Sequence, residues 1–204
     1  MKIIGITGGV GAGKSTVLNI LKELCSCEIV MADDAAKELM EYGKPLSEVA
    51  IELFGKESYR DDFSLNTAHI ATLMYQNEEL KNKWTSAVHP AVKKEIISRI
   101  ENAKKNASTK YFFLEAALLL EEKYDLICDE IWYVFADEEV RIERIMTNRG
   151  YSKEKSQSII NNQKRHEEFL AGSHWMLDNG VSVEETRIQL ENKLEELEKM
   201  CYNN

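Results

Sequence analysis

Gly8-Gly-Val-Gly-Ala-Gly13-Lys14-Ser15 fits the spacing G-x-x-x-x-G-K-[ST] at every position. It follows the apolar run Ile3-Ile4-Gly5-Ile6 and precedes Val17, Leu18, Ile20, Leu21 and Leu24 at helical spacing. A strand therefore leads into a glycine loop, and the loop into a helix, the context this spacing requires. Glycines let successive backbone N–H groups turn inward, and the helix N-terminus adds positive polarisation, so the loop is a nest for phosphate oxygens. Gly9, Val10, Gly11, Ala12, Gly13, Lys14, Ser15 and Thr16 are the candidate nucleotide contacts. Lys14 would reach the β- and γ-phosphates, and the Ser15 hydroxyl would take one position on Mg²⁺. The expected ligand is a nucleoside triphosphate or a close relative.

The chain has 204 residues, 44% hydrophobic and 30% charged, enough for one α/β domain with insertions. A net charge of −9 argues against a general nucleic-acid or anionic-membrane binder, which needs a basic surface. No apolar run approaches a membrane span and no leader peptide is visible, so a cytoplasmic, reducing location is expected. The four cysteines, at 25, 27, 128 and 201, show no metal-ligand or disulfide-framework spacing. Cys25-Ser-Cys27 lies where a helix runs into a strand and reads as buried thiol.

Outward from the loop, Cys27–Met31 reads as a second strand ending at Ala32-Asp33-Asp34. Residues 32–106 are helical and polar, with apolar spacing in 35–39, 46–53, 68–74 and 92–100. Tyr111–Glu115 and Glu130–Phe135 read as buried strands of a parallel sheet. Residues 138–170 are helical and basic, and Trp175–Leu177 is a last short strand before the Asp178-Asn-Gly180 turn. The tail opens with Ser182-x-x-Glu185, a capping box. Its stripe of Val183, Leu190, Leu194, Leu197 and Cys201 should pack back on the sheet rather than on a partner helix. Strands alternating with helices behind a phosphate loop indicate a doubly wound α/β fold.

Phosphoryl transfer needs phosphates held, charge neutralised, and an acceptor hydroxyl aimed in line. Arg141 and Arg144, three apart, share a helix face that a closing segment would bring to the phosphates. Alternatively they pair with Glu138, Glu139 and Glu143 on a solvated face. Asp33 and Asp34 end the second strand, where a carboxylate can orient or deprotonate an acceptor or simply cap the next helix. Glu115 ends the third strand and is a candidate Mg²⁺ holder, directly or through water, or else a solvent-facing helix-start carboxylate. His89 is conspicuous but is assigned no proton transfer.

The chain resembles the dephospho-coenzyme A kinase family nearly end to end. Ile4-Gly-Ile-Thr-Gly-Gly-Val-Gly-Ala-Gly-Lys-Ser-Thr16 is similar to its opening, and Val30-Met-Ala-Asp33 to its I-D-A-D. Phe54-Gly55, His89-Pro90, Glu115-Ala-Ala-Leu-Leu-Leu-Glu121, Ile160-Asn-Asn-Gln163 and Leu177-Asp-Asn-Gly180 follow in the family's order. The resemblance implies a P-loop, nucleoside-kinase-like doubly wound parallel sheet with a helical acceptor-binding insertion and a helical lid. It implies a nucleotide-binding core of 1–31, 107–137 and 171–204, an acceptor subdomain of 32–106, and a lid of 138–170. By it Asp33 is the base, Lys14 and Arg144 stabilise transferred charge, and Asp33 and His89 face the acceptor. Arg141 and Arg149 are lid candidates, with Mg²⁺ as cofactor. The partners are ATP and dephospho-coenzyme A, and a monomer is expected.

Departures from the pattern are Met31, Asn66-Thr67, Ala117, Asn148, Phe169 and His174, on the acceptor and lid sides. They leave two alternatives: a kinase of the same architecture acting on another small acceptor such as a nucleoside monophosphate, or a non-catalytic ATP sensor. Retention of Lys14, Ser15, Asp33 and Arg144 together argues against the sensor.

Overall fold

The computed structural model describes residues 1–202, with side chains through Met200. Cys201, expected at the end of the tail stripe, lies outside the described side chains. The chain divides into two units, residues 1–29 with 106–204, and residues 30–105. Residues 138–170 fall within the first unit, and the division runs through the second strand.

The first unit is built on a sheet of β1 (Lys2–Thr7), β2 (Cys27–Met31), β3 (Tyr111–Glu115), β4 (Glu130–Phe135) and β5 (Trp175–Asp178), in the order β2-β3-β1-β4-β5. β1 pairs in parallel with β3 and β4, and β4 with β5. Ile4, Ile6, Phe112, Phe113, Leu114, Ile131 and Trp132 are almost wholly buried, as expected of parallel strands covered on both faces. Each such side chain contributes about 1.5–3 kcal/mol of burial. The register sets Ile6 beside Glu115, Thr7 beside Tyr133, and Phe135 beside Asp178. The carboxyl ends of four strands therefore meet along one edge, where open α/β sheets bind ligands.

Helix α1 (Lys14–Leu24) buries Val17, Leu18, Ile20 and Leu21. Cys25 and Cys27, read from the sequence as buried, are only half-buried, since they stand at the corner where α1 ends and the edge strand β2 begins. The last helix of the chain, Val183–Tyr202, packs on α1 and β5 through Leu190, Leu194 and Leu197. Val183 departs from the expected stripe: it stands in the first turn, 51% exposed, and buried Thr186 takes the inward position. The Ser182 hydroxyl accepts from the Glu185 N–H at 3.1 Å, the cap the sequence signals. Between β3 and β4 the chain runs through turns and a 3₁₀ turn at Tyr124–Leu126, anchored by buried Leu119 and Tyr124.

The second unit is helical: α2 (Ala32–Leu39), α3 (Pro45–Phe54), α4 (Thr67–Gln76) and α5 (Glu78–Lys104). The long α5 contacts the other three, burying Trp84, Val88, Val92, Ile96 and Ile100 at helical spacing. Asn66 caps α4 by accepting from the His69 N–H, and its amide donates to the Glu57 carbonyl, so this departure serves as a helix start.

Candidate active site

The phosphate loop fills the turn from β1 into α1. Gly8, Gly11 and Gly13 have φ of 147°, 83° and 89°, values side chains rarely adopt. At Gly13 a second constraint applies, because an added Cβ would stand 2.1 Å from Asn179 Nδ2. Lys14 Nζ donates to the Gly8 carbonyl at 2.9 Å and lies 3.5 Å from Glu115 Oε1. Both side chains are mostly buried, 15% and 13% exposed. Glu115 thus faces the loop lysine, and no helix starts there, which removes the solvent-facing alternative. Ser15 is exposed in the first turn of α1.

Helix α6 (Glu138–Arg149) lays two guanidinium groups on the loop. Arg141 Nε donates to the Val10 carbonyl at 2.9 Å and Nη2 to Gln163 Oε1 at 2.7 Å. Burial alone pushes the Arg141 pKa down, only partly opposed by Tyr133 and Glu138, so its charge is held in a poorly solvated place. Arg144 Nη2 donates to the Asn179 carbonyl at 2.8 Å, with longer 3.4 Å contacts to the Gly11 and Ala12 carbonyls. Neither arginine makes an ion pair among the described residues, so the solvated-face alternative does not hold. Val10 packs against Ile142, Ile145 and Ile160, joining the loop to α6 and α7 (Lys153–Asn161) through apolar contact.

Two site residues lacked an assigned role in the sequence. Gln163 Oε1 accepts from both the Val10 N–H, at 3.1 Å, and Arg141. Asn179 is 4% exposed, donates to the Ala12 carbonyl at 2.7 Å, and accepts from Thr186 Oγ1 at 2.8 Å. Their signals were the Ile160-x-x-Gln163 and Leu177-Asp-Asn179 spacings, which carry no chemistry until the fold places them.

Arg149 is not brought to the loop: it ends α6 as an exposed side chain before Gly150, which has φ of 64°. Asn148 and Ala117 are likewise exposed. Phe169, on α8 (His166–Ala171), is buried and stacks on Tyr133 at 5.0 Å and 12°. His174 Nδ1 accepts from the Ile131 N–H at 3.0 Å, joining β4 to the start of β5.

In the second unit Asp33 is the second residue of α2, exposed, with no hydrogen bond or ion pair among the described residues. The cap position belongs to Met31, whose side chain makes no cap bond, so Asp33 is not the N-cap. Asp34 is paired with Lys37 at 2.7 Å. His89 is half-buried within α5 and lines an open groove of roughly 610 Å³ with Met74, Tyr75, Trp84, Thr85 and Val88. Phe54 packs edge-on to Trp84, and its carbonyl meets His69 Nε2 at 2.9 Å.

Among the described residues no three His, Cys, Asp or Glu side chains cluster as a metal cage. Beside the loop stand one carboxylate, Glu115, 3.5 Å from Lys14 Nζ, and the exposed hydroxyl-bearing Ser15 in the first turn of α1.

A parallel sheet with a glycine nest at the end of its central strand, and arginines laid on that nest, defines a phosphate-loop kinase. Comparison with known proteins narrows this. The sequence profile described as dephospho-CoA kinase matches residues 2–185. A dephospho-CoA kinase of Carboxydothermus hydrogenoformans is 34% identical over 190 residues, 93% of this chain and 91% of that one. A crystal structure of a Thermus thermophilus protein superposes with a TM-score of 0.79 at 28% identity, over 96% of this chain and 97% of the other. A shikimate kinase of Acinetobacter baumannii, at 14% identity and a TM-score of 0.55 over 100% of this chain and 95% of its own, shares the fold. The chain belongs to the dephospho-CoA kinase family and is a kinase by that membership.

Proposed function

We propose that this chain transfers the γ-phosphoryl group of ATP to the ribose 3′-hydroxyl of dephospho-coenzyme A, giving coenzyme A and ADP. The observation that carries this reading is the pair of half-buried guanidinium groups, Arg141 and Arg144, set against a glycine nest. Transfer of a phosphoryl group rests on positioning and on neutralising charge, and a desolvated arginine does this better than one in water.

The backbone N–H groups of residues 9–16 hold the phosphates, and Lys14 turns from the Gly8 carbonyl to their oxygens. Ser15 and Glu115, the latter directly or through water, would hold Mg²⁺, which would supply positive charge against that of the phosphates. Asp33, without a partner of its own, accepts the proton leaving the 3′-hydroxyl. Arg144 and Arg141 stabilise the moving charge while residues 138–170 exclude water, which would otherwise compete as acceptor. The 32–106 helices, His89 among them, bind the acceptor. The enzyme acts as a cytoplasmic monomer. Among the described residues, no helix is long and apolar enough to cross a membrane.

The test is incubation with Mg-ATP and dephospho-coenzyme A, following the product by mass. A gain of one phosphoryl group on the ribose, lost in Lys14→Ala, is expected. Transfer to a nucleoside monophosphate instead, or ATP binding without acceptor-dependent ADP release, overturns the reading.

A further inference from the structure

Gln163 lies in the turn between α7 and α8, three residues after buried Ile160, and its backbone N–H donates to the Ile160 carbonyl at 3.0 Å. Ile160 packs with Ile142 and Ile145 against Val10, so apolar contact already fastens this short segment to the phosphate loop. The Gln163 side chain meets the same loop residue. Its Oε1 accepts from the Val10 N–H at 3.1 Å and from Arg141 Nη2 at 2.7 Å.

A backbone N–H and a guanidinium both donate and neither accepts, which fixes the carboxamide with its oxygen toward them. A planar amide carries its nitrogen beside its oxygen, and Nε2 has no acceptor among the described residues. No buried side-chain nitrogen or oxygen among them lacks a partner, so Nε2 opens to solvent, next to the Val10 amide.

The surrounding contacts say which end of the loop this is. Lys14 Nζ donates to the Gly8 carbonyl at 2.9 Å, and the lysine of this motif is the group that reaches the β- and γ-phosphates. A Cβ added at Gly9 would stand 2.2 Å from Arg141 Nη2 and 3.0 Å from Gln163 Oε1. Gly8, Gly9 and Val10 thus gather the loop lysine, an arginine of α6 and the Gln163 amide. The Arg144 and Asn179 contacts fall at the other end, on Gly11, Ala12 and Gly13.

We propose that Gln163 is a further substrate-contacting residue of the kinase, its amide Nε2 donating to an oxygen of the γ-phosphoryl group. Val10 and Arg141 hold Oε1 and so set the direction of that donor. A donor fixed in advance costs no reorganisation as charge moves during transfer. It also makes the site read the third phosphate, which ADP lacks. The inference rests on the kinase reading of the loop and not on the identity of the acceptor.

The test titrates the full chain, without acceptor, with the β,γ-imido analogue of ATP and with ADP, each as its Mg²⁺ complex, by calorimetry. Gln163→Glu keeps an oxygen for Val10 and Arg141 and places a second, negative one where Nε2 was. It should weaken the triphosphate at least about tenfold, the scale of a lost hydrogen bond to a charged group, and leave ADP within about threefold. Gln163→Met, neutral and similar in length, should lower the triphosphate-to-ADP affinity ratio by about threefold or more. A residue that only fastened α7 to the loop would be replaced well by glutamate, whose ion pair with Arg141 is the stronger link. Its loss in the methionine variant would weaken both nucleotides alike. An unchanged affinity ratio in either folded variant overturns the proposal; thermal melting identifies a variant that fails to fold, and the other then decides. Because no acceptor is present, failure to phosphorylate dephospho-coenzyme A would leave the result standing.

Discussion

The side-chain amide of Asn179, at the end of β5, donates to the carbonyl of Ala12 in the phosphate loop, 167 residues away in sequence, at 2.7 Å. The same side chain accepts from Thr186, and its backbone carbonyl receives Arg144. One buried residue thus joins the loop, α6 and the last helix. Asn179→Ala takes the shorter partner from the Ala12 carbonyl, leaving it Arg144 at 3.4 Å, and leaves the Thr186 hydroxyl only the Ser182 carbonyl at 2.9 Å. The expected cost is about 1–3 kcal/mol in chemical denaturation, together with weaker ATP binding. An unchanged midpoint with unchanged ATP affinity would refute the role.

Lys14→Ala removes the loop lysine, whose Nζ now donates to the Gly8 carbonyl, while leaving the glycine backbone in place. Turnover should fall by about 10²–10³-fold or more, the scale for a lost charge-stabilising donor. A rate within a few-fold of the parent would sink the assignment.

The Asp33 side chain is exposed and makes no hydrogen bond or ion pair among the described residues, so Asp33→Asn should fold normally. It should lower kcat by about 10²–10⁴-fold, the range for general base catalysis, and leave ATP affinity alone. Steady-state kinetics with a separate ATP titration decides this. Loss of affinity with kcat preserved would assign Asp33 to binding instead.

Arg141 and Arg149 sit on the same helix and give opposite expectations. Arg141→Ala breaks the bonds to Val10 and Gln163 and should cut kcat/KM for ATP by about tenfold or more, as loss of a charged hydrogen bond does. Arg149→Ala, on the exposed end of α6, should leave it within about twofold, as for surface changes remote from such contacts. Equal losses from both would mean that Arg149 acts at the site as well, and would overturn the assignment of the end of α6 that meets the loop.

Glu130 ties Lys2 at 2.7 Å and Trp132 Nε1 at 2.9 Å at the start of β4. Burial raises its pKa, but the hydrogen bonds from Lys2 and Trp132 and the charges of Lys193 and Lys2 outweigh that, so the folded value lies below the usual carboxylate range. A depressed folded pKa stabilises the protein above the unfolded value, and that contribution is lost as pH falls through the folded one. Glu130→Gln should therefore lower the melting temperature near neutrality and flatten its decline below about pH 4.5. An unchanged acid limb would assign the decline to other carboxylates.

The phosphate loop, the strands around it and the order of elements were legible in the residues. Loop geometry is a local demand, met by glycines at fixed offsets, and buried parallel strands advertise themselves as apolar runs. The ordered short motifs extended that reading to the family. Less legible was which of several similar side chains reaches the site. Arg141, Arg144 and Arg149 look alike on a helical repeat, and only the packing of Val10 among Ile142, Ile145 and Ile160 fixes which end of α6 meets the loop. At two of the departures, what the side chains touch was not legible either: Phe169 stacks on Tyr133 of β4, and His174 accepts from the Ile131 N–H.

The amino-acid order alone thus decided what the loop binds and that a strand and a helix flank it, because those properties depend on residues within one turn of each other. Tertiary structure alone decided that Asn179, Gln163 and Arg141 share that loop. Their meeting follows from parallel strand register, which gathers the carboxyl ends of β1, β3, β4 and β5 at one edge, and from the packing of Val10 on Ile142, Ile145 and Ile160, which brings α6 and α7 to the loop. No spacing along the chain encodes a contact made across 167 residues.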